Sequence, residues 1–156
     1  MKSELAAQFG GALDMLENAI RACPESLWGD TSRNPQFWYV AYHVVFYTDL
    51  YLSPGQEGFA PPPPYTLSEF DPSGLMPDRV YSKDEMLAYL EHDRRKFKAM
   101  LAGWTDERRA FGSITGTTLE VLLYNLRHVQ HHAAQLNLLL RQVTDSAPRW
   151  VVRAKV

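Results

Sequence analysis

From Thr117 to Val143 the chain reads "TTLEVLLYNLRHVQHHAAQLNLLLRQV", with neither proline nor glycine to interrupt it. Thr117 and Glu120 form a capping-box pattern, so a helix is predicted to open there and to run for about seven turns. Taking His128 as zero and about 100° per residue, Leu122, Val129, Leu136, Leu139 and Leu140 fall between about +20° and +120°. That stripe needs other helices to bury it, and the chain supplies three. The first runs from about Ser3 to Cys23, with Leu5, Phe9, Leu13, Leu16 and Ile20 at three- and four-residue steps and Pro24 ending it. The second begins near Pro35 and carries "FWYVAYHVVFYTDLYL" to about Leu52; its β-branched and aromatic residues would suit a strand, but the run is long for one. The third opens at Ser82, where Glu85 completes another capping box, and reaches about Leu101.

Between the second and third helices lies a long connection, about residues 53–81, with four consecutive prolines at 61–64 that exclude a helix interior. The segment "TDERRAFGSITG" before the last helix is expected to be a loop. Four substantial helices without a convincing sheet predict an all-α fold, a helix bundle formed as one domain over residues 1–156.

Composition narrows the function. The 156 residues are 46% hydrophobic and 22% charged, ordinary for a folded protein long enough to bury a core without a structural metal. Sixteen basic and eighteen acidic residues are mixed along the chain, with no basic block of the kind a nucleic-acid binder uses. Cys23 is the only cysteine, which excludes an intramolecular disulfide and fits a reducing cytoplasm. The N-terminus lacks the apolar core of a signal peptide, and no apolar run approaches the roughly 20 residues of a membrane span. The expectation is a soluble cytoplasmic protein.

Three of the five histidines fall within residues 128–132. His132 lies at about +40° from His128, on or beside the apolar stripe, whereas His131 lies at about −60°, toward another border of the helix. An i,i+4 pair can aim both imidazoles at one ion. A catalytic metal commonly takes three protein ligands, and His43, within the aromatic second helix, is the best third. His92, in "YLEHDRRK", reads as exposed among charges. His43, His128 and His132 would leave coordination positions open and suit zinc, nickel, iron or copper. The competing account is a set of hydrogen-bonded core histidines with no metal. His131 reads as a rim, supporting or interface residue, Gln135 as a support for His132 or for a bound water, and Tyr47 and Asp49 as packing, capping or surface residues ahead of a cavity-lining role. Cys23 reads as a packing residue and not a nucleophile. No glutamate stands beside the histidines as in HExxH, so ordinary zinc-protease chemistry is disfavoured.

"NLRHVQHHAAQL" resembles the last-helix motif of the DinB-like superfamily, HxxxH followed by xxQ, with His128, His132 and Gln135 in that order. "FWYVAYHVVFYTDLYL" is similar to that family's second helix, where one histidine lies amid aromatic and aliphatic residues; His43 takes its place. The resemblance implies a four-helix bundle, a three-histidine site for a divalent metal, zinc or nickel foremost, and often a homodimer. It also implies kinship with transferases and isomerases that use low-molecular-weight thiols, and none with the DNA polymerase of similar name. The expected function is metal-dependent chemistry on a small molecule, S-transfer ahead of hydrolysis. The alternative is a non-catalytic metal- or small-molecule-binding dimer acting in stress response.

Overall fold

The computed structural model describes residues 1–154. Its elements are α1 (Lys2–Ala22), the one-turn α2 (Glu25–Trp28), α3 (Phe37–Tyr51), α4 (Lys83–Ala102), strands β1 (Arg108–Phe111) and β2 (Ile114–Thr117), and α5 (Thr118–Thr144). The protein is thus mostly helical. α1 packs against α4 and α5, and α3 packs against the same two helices, so the four long helices surround one core.

Each long helix has a local cause. α1 buries Leu5, Phe9, Leu13, Leu16 and Ile20 along one face, and its chain turns extended at Cys23, before Pro24. α4 and α5 both open with reciprocal capping boxes, Ser82 with Glu85 and Thr117 with Glu120. α3 begins at Phe37, two residues beyond the expected Pro35, because Gln36 is still extended. It is buried on nearly every side, including Trp38, Tyr42, Val45 and Phe46. Packing all round therefore holds as a helix a run whose β-branched residues would also suit a strand.

Two elements correct the sequence reading. Residues 25–28, expected as connection, make the turn of α2, whose Trp28 is buried and donates its indole N–H to the Tyr81 carbonyl (2.9 Å). The expected loop before α5 contains an antiparallel hairpin in which Phe111 pairs with Ile114 across Gly112 and Ser113. Gly112 has φ +60°, the backbone that a two-residue hairpin turn demands of its first residue. Phe111 of this hairpin packs with Leu50, Tyr51 and Val121 into a small cluster beside the main core.

Residues 53–82 contain one 3-10 turn, Ser68–Phe70, and otherwise no regular element. They are tied down by tyrosines. The hydroxyl of Tyr42 donates to the Thr66 carbonyl (3.2 Å), that of Tyr47 to the Glu69 carbonyl (3.2 Å), and that of Tyr65 to the Glu85 carbonyl (2.6 Å).

Candidate metal centre

Helix α3 carries His43, and α5 carries His128 and His132 one turn apart. The buried Asn125, three residues before His128, donates to the Thr48 carbonyl of α3 (3.2 Å) and fixes the register of the two helices at this level. The three imidazoles converge. Ring centroids are 5.3 Å apart for His43 and His128, 4.9 Å for His43 and His132, and 4.6 Å for His128 and His132. One nitrogen from each ring lies within 4.8 Å of the other two.

Hydrogen bonds at the far side of two rings set their tautomers. Nδ1 of His43 lies 2.8 Å from Oε2 of Glu69. Nδ1 of His132 lies 2.7 Å from Oε1 of Gln135. A carboxylate and an amide oxygen can only accept, so each Nδ1 carries the proton and each Nε2 keeps its lone pair. Gln135 thus orients His132, one of the two roles expected for it.

Nε2 of His128 faces Nε2 of His43 at 3.3 Å. Two nitrogens each about 2.05 Å from a tetrahedral zinc stand roughly 3.3 Å apart, so the spacing fits one edge of such a site. Nδ1 of His128 is buried without a hydrogen-bond partner among the described residues. Burial, then the neighbouring His132, His43 and His131, pushes His128 down to about 3, and burial lowers His132 as well. Both rings are thereby kept in the neutral form that ligates a cation.

Glu69 was not anticipated from the sequence. Its side chain, 3% exposed, comes from the 3-10 turn of the long connection. One oxygen takes the His43 proton, and the other accepts the Tyr39 hydroxyl at 2.6 Å. Burial and the Glu69 carboxylate raise Tyr39, which keeps its proton and donates. The only signal in the sequence is an acidic residue between Ser68 and Phe70 within a segment rich in proline and glycine, and no spacing rule connects it to His43.

The remaining candidates separate by their angle on the helix. Tyr47, one turn after His43, has its ring 4.7 Å from the imidazole and borders the cluster. His131 is exposed, its ring 5.0 Å from that of His132. Asp49 does not line this cavity: six residues after His43 it lies about 120° round α3 and faces α4. There it meets His92, whose Nε2 is 3.3 Å from Asp49 Oδ1. His92 is therefore half-buried, not free among charges as expected. Cys23 is buried at the end of α1 and its thiol is pushed up to about 12 by burial, which suits packing and not nucleophilic attack.

A family model described as the DinB superfamily matches residues 8–136. The chain belongs to the DinB superfamily. The match spans α1 through the two histidines of α5 and Gln135, and so includes every residue of this DinB-superfamily cluster. Neither the curated proteins nor the solved structures searched contain a match. Among the described residues, no helix is long and apolar enough to cross a membrane.

Proposed function

We propose that this DinB-superfamily chain is a single-domain metalloprotein, its four long helices forming the bundle that holds one divalent transition metal, zinc or nickel, on His43, His128 and His132. The observation that carries the reading is the pair of outer hydrogen bonds, Glu69 to His43 and Gln135 to His132, which leaves two Nε2 lone pairs directed at the point that His128 also faces. In the metal-free protein Nε2–H of His128 can donate to Nε2 of His43, and an ion bound at that point takes the place of this proton.

The metal, when bound, supplies positive charge that lowers the pKa of a thiol or water it ligates. The chain's own residues bind, orient and shield. Glu69 draws the His43 proton outward, Tyr39 holds Glu69, and Tyr47 packs against the His43 ring. We favour S-transfer from a low-molecular-weight thiol over hydrolysis, because the one carboxylate among the described residues that contacts the cluster is already engaged at both oxygens. A hydrolase needs a base to take a proton from water, whereas a thiol ionises more readily. Cys23 is buried and far along the chain from the cluster, so the thiol is a substrate, not a side chain.

A surface depression of about 570 Å³ adjoins His128, lined by Tyr124, Leu126, Arg127, Gln130 and His131. All of these come from α5, so the depression has one wall, and a second copy of the chain would supply the other. A homodimer seen by light scattering, weakened by Tyr124→Asp, would support that arrangement; a monomer at all concentrations would remove it.

The test of the metal reading is metal content by mass spectrometry on untagged protein. His43→Ala and His128→Ala should each lower the zinc or nickel content by about one equivalent relative to wild type while far-UV circular dichroism is retained. Metal-free wild type that also fails to take up zinc or nickel would leave a bundle of core histidines. With metal established, turnover of a small thiol with an electrophile supports transfer, and hydrolysis of an ester or amide in its place supports the alternative.

A further inference from the structure

About 120° round α3 from the histidine cluster, the interface with α4 buries two carboxylates. Asp49 is 1% exposed and Asp93 is 0% exposed. Tyr89, His92, Asp93 and Lys96 follow one another at helical steps along the face of α4 turned toward Asp49. One oxygen of Asp49, one of Asp93 and one nitrogen of His92 all lie within 4.8 Å of one another.

The two carboxylates are treated very differently. Asp49 accepts from the Tyr89 hydroxyl (3.0 Å), approaches His92 (3.3 Å) and pairs with the Lys96 ammonium. Lys96 is further held by the Asp49 carbonyl (2.9 Å) and Ser53 Oγ (2.6 Å). Neither oxygen of Asp93 has a hydrogen-bond partner among the described residues. An unpaired, unbonded carboxylate in a dry interior is among the least favourable things a fold can contain. Burial and the neighbouring Asp49 push Asp93 well above the ordinary carboxylate range, so without an ion its carboxyl keeps a proton; a cation that displaced this proton would supply the positive charge that one ammonium cannot give to two carboxylates.

We propose that Asp49, His92 and Asp93 form a second cation site, separate from the histidine cluster, that takes a hard or borderline divalent ion, Mn²⁺ or Zn²⁺. Two carboxylate oxygens and one imidazole are a donor set for such ions and not for the soft ions that select thiolates. Entry is from the solvent side of α4, where the side chains of His92 and Lys96 remain 34% and 27% exposed. Lys96 is the resident competitor: its flexible stem lets the ammonium swing to water when an ion takes its place at Asp49. The site does not depend on the first, because His43 and Asp49 face different helices.

The experiment removes the histidine cluster first. His43→Ala/His128→Ala full-length protein is titrated with MnCl₂ and, separately, ZnCl₂ by calorimetry. One equivalent should bind. Asp93→Asn in that background should weaken binding by about 100-fold or more, as loss of a ligand exceeds loss of a supporting group. Lys96→Met should strengthen it by about tenfold, by removing the competing cation. Absence of binding for both ions, or binding that survives Asp93→Asn and His92→Ala unchanged, would overturn the proposal and leave a proton alone on Asp93. Should the double variant not fold, wild type carries the test: two equivalents falling to one in His92→Ala support the site, and a stoichiometry unaffected by His92→Ala removes it.

Discussion

One oxygen of Glu69 meets His43 and the other meets Tyr39, so this single side chain sets both the tautomer and the orientation of the His43 ring. Glu69→Gln keeps the size but presents an amide that need not accept from Nδ1. It should lower zinc or nickel affinity by about 10–100-fold, measured by competition with a chelator, with little change in the folded spectrum. Unaltered affinity would show that the hydrogen bond does not serve the metal. His128 yields a prediction in pH. Its folded value, pushed down to about 3, lies below the ordinary 6.5. The unfolded chain therefore binds the extra proton first, and stability of the metal-free protein is fully present above about pH 6.5 and lost as pH falls toward about 3. Urea midpoints for chelator-treated protein should decline across that window, and the His128→Gln variant should decline less steeply. At this scale the convergence of the three histidines was legible because an i,i+4 pair is a local pattern and the likeness of the second helix pointed to His43. Glu69 was not, because its role arises from a connection 26 residues away in sequence folding back on α3.

At the scale of elements, what could be read was what is stated locally. The capping residues Ser82, Glu85, Thr117 and Glu120 and the breaker Pro24 lie within a few residues of the boundaries they set. Thr117→Ala should remove one half of the α5 cap and cost about 1 kcal/mol, roughly 2–4 °C in Tm by calorimetry. No change would mean that the hairpin holds the start of α5 without it. The hairpin itself escaped because its strands are short and charged: Arg108 and Arg109 in β1 offer little alternation. The two-residue Gly112–Ser113 turn between Phe111 and Ile114 is the signal that could have found it. The angle of a residue round its helix was also decisive. It put Tyr47 beside His43, and it turned Asp49 away toward α4, where its pairing with the half-buried His92 depends on a neighbour that periodicity alone could not supply.

For the whole molecule, mostly helical character and DinB-superfamily membership followed from repeated apolar spacing and two short motifs, whereas the course of residues 53–82 was beyond both. Irregular segments have no period to read; this one is fixed by tyrosine hydroxyls that reach carbonyls far along the chain. Global cohesion can be followed through Cys23, 1% exposed with its thiol pushed up to about 12. Iodoacetamide at pH 8 should label it only through unfolding, so the labelled fraction should track the denaturant transition seen by circular dichroism. Rapid labelling of the native protein would show that the end of α1 opens independently.

The attachment of Glu69 has a consequence for motion. Because the His43 proton is held by a residue of the long connection, an ion on the far side of the imidazole and the closed state of that connection favour each other by the same free energy. Amide hydrogens around Thr66–Phe70 should therefore exchange more slowly once metal is added, and by the factor that Glu69→Gln removes from metal affinity. Opening of the segment without regular structure would then loosen the hold on the ion by that same factor.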